Sequence, residues 1–168
     1  AVAEAIFEHY LPRFAGDELP ETAAGMIVSI ADKMDSIAGC FAVGLIPTGS
    51  QDPYALRRQA LGIIQIILAK GLDLSLTSLI NWAQAGLAEQ VEQAPETASQ
   101  IREFFLGRLR GVLTGEGIPY DVIDAVLAVE ARGEHRAAVH GARVVQQQQV
   151  ARLQADAVAV RDVGLHHL

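Results

Sequence analysis

Apolar residues recur along the chain at intervals of three and four, and no stretch alternates with the two-residue period of a strand. Val2 to Glu8 reads as the end of a helix running into Tyr10-Leu11-Pro12 and the turn-rich Phe14-Ala15-Gly16-Asp17. A long helix is expected from near Glu21, just after Pro20, to about Phe41, with Ile27, Ile30, Met34, Ile37 and Phe41 on one core-facing stripe. Gly44 to Gln51, containing Pro47 and Gly49, is a loop. Asp52-Pro53 predicts the next helix start, because Asp is a favoured N-cap and Pro is tolerated at the first helical position. Leu56, Ala60, Ile63, Ile64, Ile67 and Leu68 give that helix a broad buried face, and Gly71 ends it after Lys70.

Leu74 to Val91 predicts a further helix carrying Trp82. Gln93-Ala94-Pro95 breaks the pattern and is the expected domain boundary, dividing the chain into residues 1–92 and 96–168. Ile101, Phe104, Phe105, Leu109 and Val112 mark an amphipathic helix that stops at Gly115-Glu116-Gly117. Pro119 starts another, with Val122, Ile123, Val126 and Leu127 facing inward. From Ala131 the pattern degrades: Gln146 to Gln149 is compositionally biased, and the Ala/Val-rich end is read as helical without crisp caps. There is no internal repeat, and the expected fold class is all-α.

Composition supports this reading. A chain of 168 residues is one domain or two small ones and is long enough to bury a real core. A hydrophobic share of 51% with 20% charged residues excludes disorder, and 5% aromatics beside abundant Ala, Leu, Ile and Val suits helices packed on helices. The chain opens on Ala1, not Met, as a processed product or fragment would, and no basic segment precedes an apolar one as in a signal peptide. The longest apolar runs, near Ile37 to Ile46 and Leu61 to Ala69, are too short to span a bilayer, so a soluble protein away from the membrane is expected. Cys40 is the only cysteine, which excludes an internal disulfide and a Cys-based zinc site and fits a small core residue in a reducing, cytoplasmic setting. The net charge of −7 argues against a general nucleic-acid-binding surface. RNA contact would require local basic patches or charge supplied by a wider assembly.

Two segments could carry chemistry. His9 at a helix end, the turn Gly16-Asp17-Glu18-Leu19-Pro20, and a helix bearing Ala31-Asp32-Lys33-Met34-Asp35 follow the layout of the second half of an HD-type metal-dependent phosphohydrolase. In such sites imidazoles and a carboxylate hold a divalent metal that activates water. Asp32 and Asp35 are three apart and share a helix face. The sequence has no His-Asp dipeptide, and its other histidines (His135, His140, His166 and His167) lie in the poorly patterned tail. His9 and Asp32 are therefore expected to bond to each other across two packed helices, as an inert relic that holds no metal.

The second segment is Gly44 to Gly62. Taken with His9-Tyr10-Leu11-Pro12-Arg13-Phe14-Ala15-Gly16-Asp17 and Ala31-Asp32-Lys33-Met34-Asp35, its run Asp52-Pro53-Tyr54-Ala55-Leu56-Arg57-Arg58 resembles the HD-like domain of the glycine–tRNA ligase β subunit family. Phe104-Phe105-Leu106-Gly107-Arg108-Leu109-Arg110 and Asp121 to Ala128 resemble the start of that family's helical anticodon-binding domain. The resemblance covers about residues 1–130 and does not extend into the tail. It implies an α2β2 hetero-tetramer in the cytoplasm, in which the α subunit activates glycine with ATP and Mg while the β subunit binds tRNA(Gly). The chain itself has no Gly-rich phosphate loop or adenylate-forming signature, in keeping with a non-catalytic role and no cofactor of its own. The candidate tRNA-binding residues are Arg58, which shares a polar stripe with Gln65; Arg57, whose alternative is pairing with Asp52; and a second basic cluster of Arg102, Arg108 and Arg110, whose alternative is Glu103 or solvent. An HD-type phosphohydrolase, or its inactive relic, is the alternative function.

Overall fold

The computed structural model describes residues 2–131, all-α among those residues, and the tail expectations from Arg132 onward lie outside them. Six helices are formed: α1 (Val2–Glu8), α2 (Ala23–Ala42), α3 (Leu56–Lys70), α4 (Leu76–Leu87), α5 (Thr97–Gly115) and α6 (Tyr120–Ala131). None is long and apolar enough to cross a membrane. By spatial contact the chain falls into two compact units, Ala1–Val112 and Leu113–Leu168. Gln93 to Pro95 is the connection between α4 and α5.

In the first unit α2 is the central helix and touches α1, α3 and α4. Thr22, rather than Glu21, sets its start: the Thr22 hydroxyl accepts from the Gly25 amide at 3.0 Å, as an N-cap should. Gly44, at φ 77°, turns the chain away at the other end, where the Leu45 amide reaches the Cys40 carbonyl at 2.8 Å. Ile30, Met34, Ile37, Ala38 and Phe41 of α2 share a core with Leu56, Ala60, Ile63 and Ile66 of α3, Leu79 and Ile80 of α4, and Ile101, Phe104 and Phe105 of α5. Phe104 meets Phe41 edge-on, with ring centroids 5.1 Å apart. Cys40 is half-buried against this core, and burial pushes its thiol pKa up, away from the thiolate a nucleophile needs.

Ile27 does not join the core stripe. It is 68% exposed and lines an open apolar groove of about 880 Å³ between α2 and α4, together with the 64% exposed Trp82. The helices packed on α2 leave Ile27 exposed. The helix carrying Trp82 is shorter than the periodicity suggests, because Ser75 caps it from the Ser78 amide and the Val91 amide already closes a turn on Leu87.

The segment between α1 and α2 is held by two buried charged side chains. Lys33 is 5% exposed, and its amine donates to the carbonyls of His9 (2.9 Å) and Leu11 (3.0 Å) and to the Ser29 hydroxyl (2.8 Å). Ser29 in turn donates to the Leu11 carbonyl at 2.6 Å. Burial lowers the pKa of Lys33, opposed by the neighbouring Asp32 carboxylate. Glu8, 6% exposed, accepts from the Glu21 amide at 2.9 Å, from the Thr22 amide at 3.2 Å and from the Thr22 hydroxyl. A negative group at the start of α2 also suits the helix dipole.

In the second unit the chain leaves α5 through Gly117 at φ 76°, with the Ile118 amide returning to the Leu113 carbonyl at 3.1 Å. Pro119 accepts from the Val122 and Ile123 amides, and Ile123, Val126 and Leu127 of α6 are buried.

The close approach of α1 to α2 makes two predictions. A Cβ at Gly25 would sit 1.9 Å from the Glu8 carboxylate and 2.6 Å from its Cβ, so Gly25→Ala should lower unfolding stability by about 1–3 kcal/mol, read from the denaturant midpoint. The hydrogen bond from the Thr22 hydroxyl, followed by the Glu21 amide, holds the Glu8 carboxyl below its ordinary value of 4.5. A depressed carboxylate contributes stability that is present above the unfolded value and lost as pH falls through the folded one. The stability gap between the natural chain and Glu8→Gln should therefore be full at neutral pH and shrink below about pH 4.5, in unfolding curves recorded across that range.

Candidate nucleic-acid interface

The segment Gln51 to Arg58 builds the first turn of α3 by an indirect cap. The Asp52 carboxylate accepts from the Leu56 amide at 2.8 Å and the Arg57 amide at 2.9 Å, so it satisfies two of the helix's unpaired donors across an intervening turn. That turn places Pro53 outside the helix and Ala55 in the left-handed region at φ 55°, and α3 begins at Leu56, not at Pro53. Asp52 is thus a cap, but three residues before the N-cap position, which Ala55 holds.

Arg57 and Arg58 follow directly. Arg58 is exposed, and its guanidinium makes no hydrogen bond or ion pair with the described residues. Arg57 is half-buried, and its guanidinium reaches the Gln51 carbonyl at 3.4 Å. The expected pairing of the Arg57 side chain with Asp52 is replaced by a bond from the Arg57 backbone amide, because the carboxylate is already committed to the helix start. Both arginines line a cleft of about 430 Å³ with Gln65 one face along and with Pro12, Phe14 and Ala15 from the α1–α2 segment opposite.

The α5 arginines do not form one patch. At about 100° per residue, Arg102 and Arg110 lie about 80° apart around the helix, and Arg108 about 120° from Arg102 on its other side. Arg108 folds back on its own helix: its guanidinium donates to the Phe104 carbonyl at 2.6 Å and lies 3.7 Å from the Phe104 ring centroid. Burial and then the positive charge of Arg57 lower its pKa, which places these two cations within electrostatic reach of each other.

The HD-type positions are spread apart. His9 turns its Nδ1 to the Ile6 carbonyl and lies tilted against the Tyr10 ring, centroids 3.8 Å apart, while Asp32 and Asp35 are exposed and line the apolar groove beside α4. The expected His9–Asp32 hydrogen bond is not made, because Lys33, not Asp32, is the α2 side chain that faces the His9 segment. Among the described residues no three His, Cys, Asp or Glu side chains come together as a metal would need.

The model of the family described as "Glycyl-tRNA synthetase beta subunit" matches residues 1–128. The chain belongs to that family. It is 60% identical over 129 residues to the glycine–tRNA ligase β subunit of Desulforamulus reducens, covering 75% of this chain and 19% of that protein. It is 57% identical over 128 residues to the one from Syntrophus aciditrophicus (76% and 19%), and 55% identical over 127 residues to the one from Clostridioides difficile (76% and 18%). The chain therefore spans about a fifth of the length of the curated relatives it matches.

Within this family member, three residues that shape the site escape a reading of the sequence. Glu8 and Lys33 look like surface charges on amphipathic helices; only the four-residue spacing of Ser29 and Lys33 beside the apolar stripe hints at a buried polar pair. Phe14, in a turn without periodicity, gives no local sign that it lines a cleft with α3. The α3 geometry makes a further prediction. Asp52→Ala, which frees two helix-start amides, should lower unfolding stability by about 1–2 kcal/mol, whereas Arg57→Ala should cost under about 1 kcal/mol. Chemical unfolding of both variants measures the difference.

Proposed function

We propose that this chain is the tRNA-holding part of a glycine–tRNA ligase β subunit, acting in the cytoplasm in an assembly of two α and two β subunits. In this reading the α subunit forms the activated glycine with ATP and Mg, and this chain contributes contacts to tRNA(Gly) and to the rest of the assembly. Residues 1–92 supply an HD-like helical domain whose His9, Asp32 and Asp35 are inherited positions without a metal, and the segment from residue 96 begins an anticodon-binding-type domain. The observation that carries the proposal is the Arg58 guanidinium, exposed and uncommitted at the mouth of the α3 cleft in a member of this family. It is the one candidate cation that is exposed, lines the cleft and has no tie to the described residues; Arg102 has none either but is half-buried and lies outside the cleft lining. Arg108 is spent on Phe104, Arg57 is half-buried, and Arg110 has an internal interaction of its own.

Each phosphate neutralised by a cation releases counterions, so binding weakens linearly with log salt by about 0.7–0.9 per contact. Arg58→Ala in the full ligase assembly should weaken tRNA binding and reduce that slope by about one contact, while stability changes by under about 1 kcal/mol. tRNA affinity measured over a salt series tests this, and an unchanged slope removes Arg58 from the interface.

A further inference from the structure

The α3 cleft contains more than cations, and its remaining walls carry information about the shape of the RNA it takes. Phe14 is 55% exposed and lines the cleft across from Arg58. The ring is not loose: Arg13 lies 5.8 Å from its centroid, and Arg13 is itself fixed by Asp17, which accepts from the Arg13 backbone amide at 2.7 Å and from its guanidinium at 2.8 and 3.0 Å. Gln65 lines the same space, and its side-chain amide makes no hydrogen bond to the described residues, leaving one donor pair and one acceptor free. A cation, an aromatic face and an unused amide thus converge on a cavity of about 430 Å³, within the roughly 300–1,000 Å³ span of small-ligand clefts.

From this convergence we infer that the cleft receives one unpaired RNA nucleotide, its base against Phe14, its base edge within reach of Gln65 and its phosphate at Arg58. The inference rests on the RNA-holding role proposed above and narrows it. A base inside a duplex has both faces covered by its neighbours, so an aromatic side chain can stack only on a base that is unpaired or splayed out. The Asp52 carboxylate also lines the cleft and repels phosphate, which leaves the Arg58 side as the place for the anion. A double-stranded segment can meet Arg58 through its backbone but gains nothing from Phe14.

The test uses the full ligase assembly and three probes: tRNA(Gly), a short single-stranded RNA, and the same RNA annealed to its complement. Phe14→Leu should weaken binding of the single strand roughly 5- to 100-fold without altering the salt slope, as loss of one stacked base requires. Phe14→Tyr, which keeps the ring, should bind as the natural protein does. Arg58→Ala should lower the slope by about 0.7 on the single strand. The duplex should bind the natural protein and Phe14→Leu equally. Equal single-strand affinity in Phe14→Leu and the natural protein overturns the nucleotide cleft, as does an equal loss on duplex and single strand. If Phe14 then has no effect while Arg58→Ala still lowers the slope on tRNA, the nucleotide cleft fails and the RNA-holding role stands. If neither variant changes tRNA binding, both fail. Melting temperatures accompany each variant, and a Phe14→Leu loss that Phe14→Tyr shares overturns the stacking assignment.

Discussion

A buried ammonium group organises this chain. The Lys33 amine has three protons to donate, and it spends them on two backbone carbonyls and one hydroxyl at the point where the chain turns from α1 toward α2. Buried carbonyls at such a turn need partners, since an orphaned one costs about 1–3 kcal/mol. A hydrophobic residue at position 33 would pack against α2's neighbours but leave the His9 and Leu11 carbonyls unanswered. Burial costs the ammonium some of its basicity, and the three hydrogen bonds offset that cost. Glu8 does the complementary work from the end of α1, gathering the amides of Glu21 and Thr22 at the start of α2. One buried cation and one buried anion together fix a stretch that has no secondary structure of its own.

The position of the cleft depends on that fixation. Its near wall, Pro12 to Ala15, is part of the segment that Lys33 anchors, and its far wall runs from Asp52 through the first three turns of α3 to Gln65. The two come close because Gly62 has no side chain: a Cβ there would meet Pro12 Cγ at 3.2 Å and Lys33 Cε at 3.4 Å. Each wall is braced separately, one by the Arg13–Asp17 pair and the other by Asp52 at the helix start. Arg13 holds the Asp17 carboxyl far below the usual carboxylate range, chiefly by direct hydrogen bonding. Preorganised walls lower the ordering cost of whatever binds between them.

Much of this architecture is legible in the sequence because it follows local rules. The α1 span, the Ile30-Met34-Ile37-Phe41 stripe and the Gly71 stop are set by periodicity and by the freedom of glycine at φ 62°, which neighbours in sequence suffice to determine. The misreadings share a cause, which is that they depend on what lies across the fold. Ile27 fits the helical stripe but stays exposed in the groove beside α4. Asp52 reads correctly as a cap, yet its reach over a turn moves the helix start to Leu56, because a carboxylate can span several residues when Ala55 turns left-handed. Arg57 and Asp52 do meet, through a backbone amide that no charge pattern reveals. Glu8, Lys33 and Phe14 are chemically ordinary letters whose importance comes chiefly from partners 13 or more positions away, or from a cleft wall on another helix.

The charge distribution explains why so few groups must carry recognition. With a net charge of −7, the molecule as a whole repels a polyanion, so diffuse attraction cannot hold one. Among the candidate cations, Arg108 is turned onto an aromatic ring and a carbonyl of its own helix, and burial followed by the charge of Arg57 lowers its basicity. Its contribution to the cleft is a field rather than a contact. Arg57 keeps one tie to the loop before α3, and Arg58 keeps none to the described residues. An uncommitted guanidinium and an exposed aromatic ring lining one cleft suit the proposed RNA ligand, which presents one phosphate and one exposed base face.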